Sequence, residues 1–117
     1  MAIEATPKGQ IASTPFNLDL ATETNILAFS RLNLDFFGLH VCNKTASAVT
    51  ITVKLVREST TIFLWNEFPI ASKGTQCLCL EFPAKLIKTG DVVKATASAI
   101  NSLDLLIQHS QFERTTN

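Results

Sequence analysis

The stretch Val49 to Arg57, VTITVKLVR, puts Val49, Ile51, Val53 and Leu55 on one side of an extended chain and Thr50, Thr52 and Lys54 on the other. That alternation is the period of a half-buried β-strand; a helix, with about 3.6 residues per turn, would scatter these side chains around its circumference. Such a strand cannot stand alone. Its apolar face needs a second layer, so the segment demands a sheet packed on another element.

The remaining sequence supplies that layer with more of the same. Segments rich in Val, Ile, Thr, Phe and Leu recur at intervals of about eight to twelve residues, separated by Asn, Ser, Gly or Pro. The expected strands are Thr24 to Ser30, Asp35 to Asn43, Val49 to Arg57, Thr61 to Phe68, Gln76 to Phe82, Val92 to Ala99 and Leu103 to Phe112, with a short one near Phe16 to Leu20. Asn43 to Ser47, Ser72 to Gly74, Lys88 to Asp91 and Asn101-Ser102 carry the turn chemistry between them. SLDLLIQHSQF has enough helix-forming residues to fit a helix, but it follows an unbroken series of strands and is assigned to one. The fold class is therefore all-β, an antiparallel β-sandwich of jelly-roll or immunoglobulin-like type with roughly seven or eight strands.

Met1 to Asn17 lacks either period and carries Pro7, Pro15 and isolated hydrophobes at Ile3, Ile11 and Phe16. It reads as an extended amino-terminal arm over residues 1–17, with a single sandwich domain over residues 18–117. Charged residues are 17% of the chain, against roughly 25% in an average soluble domain. Part of the apolar surface is therefore expected to be buried against other subunits. Ten basic and ten acidic residues cancel and no basic run occurs, which removes the electrostatic footprint of a nucleic-acid binder. No apolar run approaches the roughly 18 residues of a membrane span and no basic-then-apolar leader opens the chain, so synthesis in a cytoplasm is expected.

Candidate chemistry is sparse. Cys42, Cys77 and Cys79 are an odd number without disulfide-framework spacing and read as free thiols. His40 with Cys42, and Cys77 with Cys79, are each two apart on a strand; a His-Cys-Cys-Cys zinc site would need those strands to face each other, and zinc sites favour turns with wider ligand spacing. Neither His40 nor His109 adjoins a nucleophile motif, the acids lie near strand ends, and no phosphate-binding glycine loop or dinucleotide fingerprint is present. No cofactor, metal or catalytic residue is expected. Phe63 and Trp65, also two apart, would share a face as a packing surface or a sugar-stacking platform.

The tetrapeptide Thr-Ala-Ser-Ala occurs at Thr45 to Ala48, in a turn before a strand, and at Thr96 to Ala99, at the end of one. The second copy aligns Ala95, Ala97 and Ala99 along one strand face, where the lack of bulk would let a neighbouring subunit approach closely. Together with Ile3, Ile11 and Phe16 of the arm, these alanines are the candidate subunit interface.

LHVCNKTASAVTITVKLV, an Asn-containing turn of small residues followed by Val/Thr alternation, and LIKTGDVVKATASAINSLDLLI, a Gly-Asp corner, small-residue strand, Asn/Ser turn and closing strand, are linked by FPIASKGTQCLCLEFPAKLIKTGD. Together they resemble small β-sandwich structural proteins of tailed bacteriophage virions, over about Ala28 to Phe112. The resemblance implies a non-enzymatic virion protein made in the host cytoplasm. Its partners would be copies of itself, with a trimer expected, and the major capsid protein or other head, neck or tail proteins; nucleic acid and membrane are not among them. A head decoration or cement role is favoured, with a neck, tail or baseplate accessory role as the alternative. A carbohydrate-binding module serving host adsorption is the alternative of a different class. The arm and the two cysteines of Cys77-Leu78-Cys79 lie outside the resemblance and inherit no role from it.

Overall fold

The computed structural model describes residues 12–30 and 33–112, the last two by their backbone alone. Eight strands run in the order β1 (Ala12–Leu18), β2 (Thr24–Ala28), β3 (Asn33–Asn43), β4 (Val49–Arg57), β5 (Thr60–Ile70), β6 (Thr75–Leu86), β7 (Val92–Ala97) and β8 (Leu103–Phe112). Every expected strand is present, SLDLLIQHSQF included.

The strands form two four-stranded antiparallel sheets, β1-β8-β3-β6 and β2-β7-β4-β5. Strand β1 pairs with β8, β2 with β7, β3 with β6 and β4 with β5, as if one long hairpin had been rolled up on itself. Cross-pairing of β3 with β8 and of β4 with β7 closes the roll. This is the jelly-roll arrangement of two Greek keys, and it excludes the immunoglobulin-like alternative.

The alternation at Val49 to Val53 does what its period requires: Val49, Ile51 and Val53 are buried, while Thr50, Thr52 and Lys54 lie on the outer face. From the facing sheet, Leu39, Val41, Leu105 and Ile107 complete the same cluster with Leu18, Phe36 and Leu103. Strand β3 reaches this core only by breaking its own period. Phe36 and Leu39 are both buried although three residues apart, because the register against both neighbours shifts between Phe36 and Gly38. The extra residue resets the side-chain phase. Gly38 adopts φ +149°, and a Cβ there would lie 2.0 Å from the Leu78 carbonyl oxygen, so glycine is a steric requirement of this bulge.

Buried polar side chains tie the loops together at the two ends of the roll. At one end Asn43, 1% exposed, donates to the carbonyls of Ser47 (2.9 Å), Ile70 (3.1 Å) and Ala71 (3.2 Å) and accepts from the Thr45 N–H (2.9 Å) and hydroxyl (2.8 Å). The first Thr-Ala-Ser-Ala turn is thus folded around one asparagine, an Asx-type arrangement. Main-chain bonds from Lys44 to Ser102, Lys73 to Thr45 and Asn101 to Asp19 join the four loops of that end. At the opposite end Asp91 accepts from Arg57 and from the Ile87 and Lys88 N–H groups, and its carbonyl accepts from the Phe29 N–H.

The arm boundary is corrected. Ala12 to Asn17 does not stand away from the sandwich but pairs residue by residue with His109 to Asp104 as the edge strand β1. Pro15 hid the strand from sequence reading, because proline lacks the ladder N–H; it is tolerated because β1 lies at an edge. The remaining arm positions, Ile3 and Ile11 among them, lie outside the described residues.

Candidate subunit interface

Of the residues singled out as an interface, the four that are described pack against the molecule's own core. Ala95 and Ala97 are 0% and 1% exposed between the sheets, and Phe16 and Ala99 are half-buried against the same cluster. The second small-residue stretch therefore narrows the interior where it meets the other sheet; it does not offer a subunit face. Alternation was read correctly there, but period alone does not say which side of a strand looks inward.

Phe63 and Trp65 do not share a face. Register shifts on both sides of Val53 place two extra residues in β5, so that Val53 pairs with Trp65 and Lys54 with Phe63. Trp65 turns inward against the core, whereas Phe63 is 53% exposed on the outer face, with the Lys54 ammonium 5.1 Å from its ring centroid. Glu67, at φ 52°, forms part of the first irregularity, its N–H donating to the Thr52 hydroxyl at 3.0 Å. On the same outer face Lys54 lies opposite Lys94, and Glu23 bridges both ammonium groups. The hydrogen bond from Lys54 holds the Glu23 carboxyl below its usual range against the opposing effect of burial, with both lysine charges adding to it.

The cysteines and His40 do come to one face. β3 and β6 are neighbours, with His40 directly opposite Cys77, Gly38 opposite Cys79 and Cys42 opposite Thr75. All four side chains point away from Leu39 and Leu78, on the outer surface. They are strung along regular strands, and the outer ends of that row are about 13 Å apart at roughly 3.3 Å per residue. Ligands to one zinc must converge to about 2.0–2.3 Å from the ion. Accordingly, among the described residues no group of three or more His, Cys, Asp or Glu is gathered closely enough to hold a metal ion.

A hydroxyl–imidazole pair does occur: Thr14 Oγ1 lies 2.8 Å from His109 Nε2. Burial lowers the His109 pKa, and among the described residues its Nδ1 has no hydrogen-bond partner, so none of them orients the ring as the third group of a catalytic triad would. Among the described residues no helix is long and apolar enough to cross a membrane.

Six large hydrophobic side chains remain exposed among the described residues. Leu20 and Ile100 are 59% and 63% exposed, on loops joined by the Asn101-to-Asp19 bond. Ile62, Phe63, Phe82 and Ile87 are exposed on β5, on β6 and just beyond β6, the consecutive edge strands of the two sheets. Phe82 protrudes most, at 78%, because Leu80 to Pro83 have no partner on β3: Gly38 pairs with Cys79 and Phe36 next with Ala84. Phe63 was singled out beforehand as a packing surface or platform; Phe82 was not, because it continues the Leu78-Leu80-Phe82 alternation that reads inward, and only Pro83 interrupts that period. No family model, curated protein or solved structure matches this chain.

Proposed function

We propose that this chain is a non-enzymatic structural protein of a bacteriophage virion, acting as a homo-oligomer that binds other particle subunits by burying apolar surface. The observation that carries the reading is the exposure of Ile62, Phe63, Phe82 and Ile87 on or just beyond the edge strands β5 and β6 of a jelly roll. Large hydrophobic side chains left exposed are surface that a partner can bury, and the jelly roll is an architecture of viral shells, although lectins and cupins share it. The resemblance described above adds the phage. Within that reading we favour head decoration, where a compact domain bridges neighbouring capsid subunits, over a neck, tail or baseplate position. The carbohydrate-binding alternative loses its platform with Trp65 turned inward.

The test is a double variant, Phe63→Asp with Phe82→Asp. Both side chains are exposed, so folding stability should change by no more than about 0.5 kcal/mol each, while incorporation into particles should fall at least tenfold. Wild-type incorporation of the folded variant would sink this edge as the docking surface.

A further inference from the structure

Two four-stranded sheets have four edges, and three of them are blunted. β1 carries Pro15, which has no N–H to donate. β2 is five residues long with an irregular register at Asn25/Leu27. β5 is interrupted on both sides of Val53 and contains Pro69. The fourth, β6, is blunted only in its second half, where Leu80 to Pro83 bulge and Lys85 follows. Its first half, Thr75 to Cys79, lies in unbroken register with Cys42 to Gly38 and holds no charge, proline or bulge. Thr75, Gln76, Cys77 and Cys79 are exposed, while Leu78 anchors the segment in the core.

We infer that this edge, unpaired among the described residues, pairs with the same edge of a second copy, antiparallel, about a two-fold axis at Cys77. The occupant is a second copy because the segment complements itself. Pairing that uses the whole regular run sets Thr75 opposite the second copy's Cys79, Gln76 opposite its Leu78 and Cys77 opposite its Cys77. No like charges meet across the axis, a condition for stable cross-strand pairs. An axis normal to the sheet keeps both outer faces on one side, so the two sheets become one continuous sheet, and the dimer is closed and isologous. Moving the axis to Leu78 or Cys79 would draw the unpartnered residues Leu80 and Glu81 into the ladder. The same axis carries the exposed Phe82 towards the second copy's loop between Ile70 and Thr75.

This contact is tested apart from the virion reading: a dimer in solution would survive the protein's absence from particles, and a monomeric wild type overturns the dimer while incorporation into particles is scored separately. The full chain, reduced, should sediment as a dimer. Directly opposed strand residues have Cα atoms about 4.5–5.5 Å apart, within the roughly 4.4–6.8 Å of a disulfide. On treatment with oxidised glutathione, two Cys77 thiols should lose two protons and two electrons to form one disulfide, leaving two molecules of reduced glutathione. Cys79→Ser should keep this cross-link and Cys77→Ser should lose it while remaining a dimer. Cys77→Lys, which sets two ammonium groups face to face, should be a folded monomer. Should Cys77→Lys fail to fold, the two serine variants decide the matter. A monomeric wild type, a folded Cys77→Lys that still dimerises, or a cross-link mapped to Cys79 or Cys42 would each overturn the proposal.

Discussion

Gly38→Ala should be the most damaging conservative substitution in the described chain, costing about 3–5 kcal/mol. The new methyl carbon would sit 2.0 Å from the Leu78 carbonyl oxygen, which is main chain of the adjacent strand and cannot rotate away. Relief requires β3 and β6 to separate, or the bulge at Phe37 to move and take the side-chain phase of β3 with it. Either change puts Phe36 or Leu39 on the wrong side of the sheet. Gly90→Ala is the matched control. Gly90 also has a positive φ, 96°, but nothing lies within 4 Å of the added carbon, so only conformational strain of about 1 kcal/mol applies. Thermal unfolding should separate the two variants by about 10 °C or more. Equal losses would place the cost of Gly38→Ala in backbone conformation and not in the β3–β6 approach.

The second large effect is expected at Asp91. Its side chain is 1% exposed, and burial by itself raises a carboxyl pKa. Here the Arg57 guanidinium, 3.0 Å away, and the N–H groups of Ile87 and Lys88, both at 3.0 Å, outweigh that effect and hold Asp91 below the ordinary carboxyl value of 3.8. A group depressed in the folded state contributes stability that is complete above its unfolded pKa and disappears as pH falls through its folded one. Asp91→Asn removes the charge and turns an amide towards donors, at a cost of about 3 kcal/mol near neutral pH. The gap between wild type and variant should close on acidification below about pH 4. It should not close between pH 5 and 8. A gap independent of pH down to pH 2 would show that the carboxylate's charge does no stabilising there.

The legibility of the fold differs from element to element for physical reasons. β4 and β8 were bounded to the residue because regular strands between turn residues leave their period and their punctuation in the sequence. β1 was missed in part because an edge strand tolerates Pro15 and lacks alternation over Ala12 to Pro15, all exposed. The bulges were invisible. Nothing in FFGLH or FLWNEF announces an extra residue before its neighbours are known, yet those bulges decide that Trp65 faces inward and Phe63 outward. The two buried alanines were misplaced for a related reason. Ala95 and Ala97 were read as a surface because they are small, whereas β7 lies inside its sheet between β2 and β4, where the facing sheet supplies the bulk. The Cys/His face was foreseen as a conditional, and β3 does lie beside β6, but flat strands keep its members too far apart to share an ion.

The proposed virion role is tested most directly by quantitative mass spectrometry of particles purified from the lysate in which this chain is made. A virion structural protein predicts the chain in every preparation at a fixed stoichiometry to the major capsid protein. A decoration role requires copies on the scale of the capsid subunits themselves, and a neck or tail role a small multiple set by the ring symmetry of that position. Absence from purified particles, with the chain abundant in the infected-cell lysate, would contradict the structural role.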